Sequence, residues 1–160
     1  MRRRLDAVVR TTLGRLHIPF EYHARTNTYI VGIPLDSRGM TLLGLHCHEA
    51  GQYIQIESTI FTVPIEHAGV LRIWVLQTPL TFLRFRMTDR HVHLELDLSF
   101  NRIDDPVAHL TENITFFAEA IDELYPKLLT DTRPSSLPQS WAVREIRNLL
   151  DQIDNQPADG

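Results

Sequence analysis

The chain has 160 residues, 43% apolar and 22% charged, with a formal net charge of -4. That is enough chain for one domain with a real core, and the composition is ordinary for a globular protein. The charge gives no global attraction to nucleic acid, the single Cys47 excludes an internal disulfide framework, and no stretch approaches the length of a membrane span.

Met1 to Arg4 looks like the start of a secretory signal, but no continuous apolar run follows. With Cys47, this sets the expectation of a cytoplasmic protein in a reducing compartment. Charge is uneven. Residues 1–25 hold six Arg and two acids, whereas 104–131 hold seven acids and one Lys. Exposed helix faces account for both runs. The competing reading is a nucleic-acid arm made of Arg2, Arg3, Arg4, Arg10 and Arg15. It lacks interleaved aromatics and a long basic run, so no nucleic-acid partner is expected.

Residues 3–16 predict a first helix with Leu5, Val8, Val9, Leu13 and Leu16 on one face, stopped by Pro19. Residues 20–27 read equally as a short strand or a loop. Thr28 to Leu35 is a strand rich in Tyr, Ile and Val. A turn at Asp36-Ser37-Arg38-Gly39 leads to a second strand, Met40 to His48, and Glu49 to Gln52 turns into a third, Tyr53 to Phe61. With Ala50-Gly51 at the tip, Cys47 faces Ile54 and Leu45 faces Ile56 on the inner side. His48 with Tyr53 and His46 with Gln55 lie outside. Cys47 then reads as a small core residue rather than a nucleophile. Gly32 and Gly44, both mid-strand, mark a bulge or a close backbone approach.

Residues 65–77 predict a short helix that is apolar nearly all round from Val70 to Leu76, broken only by Arg72. Such a helix is covered on more than one side. Two placements are open: packed on the sheet and against a second subunit, or sandwiched within one chain. A hairpin follows. With Asp89-Arg90 as its turn, Leu83, Phe85, Met87, Val92, Leu94, Leu96 and Leu98 share one face. Arg84, Arg86, His91, His93, Glu95 and Asp97 share the other, with Arg84 opposite Glu95. A slip of one residue would bury charge, so the register is well specified.

Asp105-Pro106 reads as an N-cap and first helical residue. The long helix behind it carries a stripe of Val107, Leu110, Ile114, Phe117, Ala118, Ile121, Leu124, Tyr125 and Leu128. Pro126 is expected to kink or end it. Asp104-Asp105 reads as helix capping and Asp122-Glu123 as a solvated helix face. A linker with Pro134 and Pro138 leads to a last helix over 139–153, which opens on Trp141 and carries Ile146, Leu149, Leu150 and Ile153 on one side.

The order is thus α-β-β-β-α-β-β-α, an α+β sandwich with an antiparallel sheet of about five strands packed against helices, plus an extra C-terminal helix. The expected division is a domain over 1–130, a linker over 131–138, an accessory helix over 139–154 and a frayed tail over 155–160.

This order, with the phrase Val70-Leu71-Arg72-Ile73-Trp74-Val75-Leu76, the hairpin from Leu80 to Ser99 and the ending Tyr125-Pro126-Lys127-Leu128, resembles the YbjN-domain family. That bacterial family is described as sensory-transduction regulators and is related in fold to type III secretion chaperones. The resemblance covers roughly residues 3–129, and Gln77 stands where members often carry Asn. It implies a homodimer that binds other proteins, a chaperone-like module or regulatory adaptor, with no catalytic residues to carry over. The accessory helix, through Trp141, Ile146, Leu149, Leu150 and Ile153, is the candidate partner-binding element.

The competing reading is a metal-dependent enzyme or metal sensor. His46-x-His48 and His91-x-His93 each place two imidazoles on one strand face, and two such strands side by side could hold zinc, copper or iron. Adjacency of those strands cannot be read from spacing, and exposed strand histidines are the plainer account, so no cofactor is expected. No G-x-S-x-G elbow, Walker loop or G-x-G-x-x-G fingerprint occurs, and the expected function is not enzymatic.

Overall fold

The computed structural model describes residues 4–132. The linker and last helix expected from the sequence, with Trp141, Ile146, Leu149, Leu150 and Ile153, lie outside the described residues, as do Arg2 and Arg3. The elements are α1 (Leu5–Arg15), β1 (Phe20–His23), β2 (Thr28–Leu35), β3 (Gly39–His48), β4 (Tyr53–Thr62), a 3-10 turn (Ile65–His67), α2 (Ala68–Gln77), β5 (Arg84–Thr88), β6 (His91–Ser99) and α3 (Pro106–Asp131). The fold is α+β. Its antiparallel sheet has six strands among the described residues rather than about five, in the order β1-β2-β3-β4-β6-β5.

The added strand is β1. All four of its residues are exposed, so it carries no alternation of burial to announce it. Backbone pairing with β2 holds it, and the rings of Phe20 and Tyr22 pack against Tyr29 beneath the Arg10 guanidinium.

The two hairpin registers follow from alternation. Cys47 pairs with Ile54, Leu45 with Ile56, His46 with Gln55 and His48 with Tyr53. Arg84 pairs with Glu95, Phe85 with Leu94 and Thr88 with His91 around the Asp89-Arg90 turn. The sheet's bulge falls in β4 between Thr59 and Phe61, not at a glycine. Gly32 and Gly44 are close approaches instead. A Cβ on Gly44 would stand 3.1 Å from His46 Nε2 and 3.3 Å from Glu57 Cγ, and one on Gly32 would stand 3.1 Å from Met40 Sδ.

One core joins the inner sheet face to all three helices: Leu5, Val9 and Leu13 of α1, Leu71 and Trp74 of α2, and Leu110, Phe117 and Ile121 of α3. Cys47 belongs to it, and burial pushes its thiol up to about 12, so it is an inert core group. Asp105 caps α3 by accepting from the Ala108 N–H at 3.0 Å. Pro126 does not end α3, which runs on to Asp131. Leu124 and Leu128, on either side of it, are both buried, and Trp74 Nε1 donates to Asp131 at 3.2 Å, so packing holds the last turns despite the missing N–H.

Two turns are tied to helices by carboxylates that local sequence does not reveal. Glu49, in the β3–β4 turn, accepts from the N–H groups of Leu5 and Asp6 at 3.2 Å each, satisfying free donors at the start of α1. Asp122 on α3 accepts from the N–H and hydroxyl of Ser37 in the β2–β3 turn, so it is not merely a solvated helix residue.

Helix α2 is not sandwiched by the described residues. It buries Val70, Leu71 and Trp74, while Leu76 stays 83% exposed and Ile65, just before it, 65%.

Candidate functional site

Because α1, α2 and α3 all pack on the inner face, the outer face of the sheet carries no helix among the described residues. Strand alternation fixes what it displays: Ile30, Gly32 and Pro34 from β2, Met40, Leu42, Gly44 and His46 from β3, Glu57 and Thr59 from β4, His93, Glu95 and Asp97 from β6, and Arg84 and Arg86 from β5. The face divides into an ionic half and an apolar half.

The ionic half is one continuous network. Arg84 donates to Asp97 at 2.7 Å and to Glu95 at 2.9 Å, and Arg86 donates to Glu95 and reaches Glu57 at 3.3 Å. His46 Nε2 stands 2.8 Å from Glu57 Oε1. His46 Nδ1 is 2.7 Å from the Thr28 hydroxyl. The network therefore runs from β5 to β2 across four strand boundaries. Glu95 is nearly fully buried between the two guanidiniums, which replaces the hydration it has lost. Hydrogen bonds to Asp97 and then Glu95 raise Arg84, and the bond to Glu95 raises Arg86. Contact with His46, then the charge of Arg86, holds the Glu57 carboxyl below its usual range against the opposing effect of burial.

The apolar half lies over β2 and β3. Met40 and Leu42 are 64% and 63% exposed beside Ile30 and Pro34. Glycine at positions 32 and 44 keeps the surface between them low. Where the halves meet, a depression of about 210 Å³ is lined by Ile30, Leu42, Gly44, Glu57, Arg86 and His93.

The four histidines do not come together. Strand β4 lies between β3 and β6, so the two pairs are not on neighbouring strands. His93 has both nitrogens on threonine hydroxyls, Thr59 at 2.9 Å and Thr88 at 2.7 Å, and burial followed by the charge of Arg86 lowers it. A neutral ring with one donor and one acceptor nitrogen fits two hydroxyls and leaves no lone pair for a metal. His91 Nδ1 meets Thr62 at 2.8 Å, and His48 stacks on Tyr53 with ring centres 4.2 Å apart. Among the described residues no group of three or more His, Cys, Asp or Glu is placed to hold a metal ion.

Sequence alternation placed Arg84, Arg86, His93 and Glu95 together. It missed Glu57, which joins them only because β4 pairs with β6, and Met40 and Leu42, whose exposure follows from the helices all lying on the other side.

This architecture has counterparts among solved structures. The Yersinia pestis type III secretion chaperone SycH, in complex with a stable fragment of YscM2, superposes with a TM-score of 0.52 at 14% identity, over 76% of this chain and 99% of that one. The chain has a type III secretion chaperone-like fold. The ExsC–ExsE complex is similar at a TM-score of 0.46 and 14% identity, over 76% of this chain and 92% of that one. No protein-family model and no curated protein matches the chain in sequence. The YbjN resemblance therefore rests on the residues that carry it.

Proposed function

We propose that this chaperone-like chain is a non-enzymatic protein-binding module, a chaperone or regulatory adaptor, that receives an extended segment of a partner protein on its outer sheet face. The observation that carries the reading is the apolar strip of Ile30, Met40 and Leu42, bare among the described residues and bordered by the ionic network. An extended segment can lay alternate side chains on such a strip, with its polar groups directed at Arg86 and Glu57. SycH was solved holding a fragment of YscM2, which supports a polypeptide as the ligand class. The exposed side of α2, with Leu76 and Ile65, supports a homodimer contact.

The test is binding of a panel of extended peptides, alternating apolar and charged, to the wild-type chain and to Leu42→Lys and Met40→Lys. Both positions are exposed, so the variants should melt as the wild type does. Binding that is lost in both variants supports the site, and unchanged binding sinks it. Native mass spectrometry of gently purified protein tests the rest. A metal-free dimer is expected, whereas a stoichiometric metal lost on replacing His46 and His93 would overturn the reading.

A further inference from the structure

Directly paired residues on an antiparallel sheet point the same way, so one row of side chains can be followed across the whole outer face. It runs Glu21, Ile30, Gly44, Glu57, Glu95 and Arg84, one residue from each strand. The row puts Glu21 on one flank of the apolar strip and Glu57 on the other. Between them Ile30 offers an aliphatic surface, and Gly44, with no side chain, helps form the depression that Leu42 also lines. The Glu21 side chain is 77% exposed and meets the His23 ring at 3.2 Å. Glu57 is 29% exposed, and its contacts with His46 and Arg86 leave acceptor sites over, since a carboxylate offers about four.

Charge on this face is unbalanced. Glu21, Glu57, Glu95 and Asp97 stand against Arg84 and Arg86, and both guanidiniums are already held by Glu95, Asp97 and Glu57. What the face lacks is positive charge on either flank of an apolar surface. The spacing of the flanks is specific. Glu21 and Glu57 lie three strands apart, which is about 14 Å at about 4.8 Å per strand. Along an extended chain residues i and i+4 are also about 14 Å apart, and i, i+2 and i+4 point to one side.

We infer that the partner segment crosses the strands at this row and carries an aliphatic residue with one basic residue two positions before it and another two positions after it. The basic side chains meet Glu21 and Glu57, and the aliphatic one lies over Ile30 and Gly44. Lysine suits the Glu57 end, because its flexible stem lets the ammonium approach from the Ile30 side, away from Arg86. The inference rests on the outer face being a polypeptide site and adds which polypeptide it takes.

Three peptides on a common serine background test this by calorimetric titration of the full chain. Each has one leucine, flanked two positions before and two after by lysine, by glutamine or by glutamate. The lysine peptide should bind about fivefold more tightly than the glutamine peptide at low salt, and the glutamate peptide more weakly than either. The advantage should shrink in about 0.5 M salt. Moving the lysines next to the leucine turns them to the other side of the extended peptide and should remove it. Glu21→Lys, on a fully exposed edge strand, should cut the advantage to about twofold or less and leave the affinity of the glutamine peptide unchanged. A glutamine or glutamate peptide that binds as well as the lysine peptide overturns the inference and leaves the outer-face site standing. So does an advantage that survives Glu21→Lys or the moved lysines. Failure of all three peptides to bind sinks the outer-face reading itself, and this inference with it. Binding that appears only on dilution to a monomer assigns the face to a second copy and overturns the inference as well.

Discussion

Asp122 Oδ1 accepts two hydrogen bonds from Ser37, one from its N–H at 2.9 Å and one from its hydroxyl at 2.7 Å, across 85 residues of sequence. Asp122 Oδ2 takes a third from the N–H of Asp36 at 3.3 Å. The contact fixes the β2–β3 turn to α3, and the bonds from Ser37 hold the Asp122 carboxyl below its usual value. Asp122→Ala should lower the melting temperature with an unchanged denaturant slope. A lowered carboxyl pKa adds stability that is present above the ordinary value of 3.8 and lost as pH falls through the folded-state value. The gap between wild type and variant should therefore hold at neutral pH and close below about pH 4, read by thermal melts across that range.

Glu95 is the hinge of the ionic network. Replacing it by Ala leaves two guanidiniums facing each other across the space it filled. Removing one partner of a buried pair costs about 3–5 kcal/mol, but the two arginines are half exposed, so about 1–2 kcal/mol is expected here. Urea unfolding measures it. The triple variant Arg84→Val, Arg86→Val, Glu95→Leu should recover part of the loss, because the buried carboxylate leaves together with both guanidiniums, although Asp97 and Glu57 each lose an arginine partner.

Glu57 gives the network its acid limit. Its carboxyl is held below the ordinary value of 4.5, first by His46, so the stability it adds is complete above that pH and disappears as pH falls through the lower, folded-state value. Glu57→Gln should be less stable than wild type at pH 6–7, and the two should converge below about pH 4. Urea midpoints at several pH values read the convergence, and a constant gap across the range would contradict it.

Deleting residues 134–160 should leave a cooperative melt. The core of residues 4–132 is closed by its own helices, with Leu5, Phe117 and Leu128 fully buried. Calorimetry reads the transition, and a broad, non-cooperative melt would contradict the expectation.

Much of this architecture is legible in the chain because alternation of apolar and polar residues fixes a strand register wherever one face is buried. That is why Cys47 with Ile54 and Arg84 with Glu95 could be paired from sequence, and why the stripe from Leu110 to Leu128 announced a helix on a sheet. Phe20 to His23 could not be read, because a fully exposed edge strand has no such alternation. Glu57, Asp122 and Glu49 acquire their roles from elements distant in sequence. Nothing in their neighbourhoods distinguishes Asp122, which holds a turn, from Glu123, which pairs with Lys127 at 3.1 Å on the surface.

The grip of Glu49 on the first amides of α1 joins residues 43 and 44 apart, and that separation has a kinetic meaning. Two such amides meet their carboxylate only after β3 has turned into β4 and the sheet has closed on the helix. An interaction of such long sequence separation is expected to form after the transition state for folding. Cutting it with Glu49→Ala should therefore leave the refolding rate nearly untouched and shorten the lifetime of the native chain, so this turn acts as a latch on the way out rather than a guide on the way in.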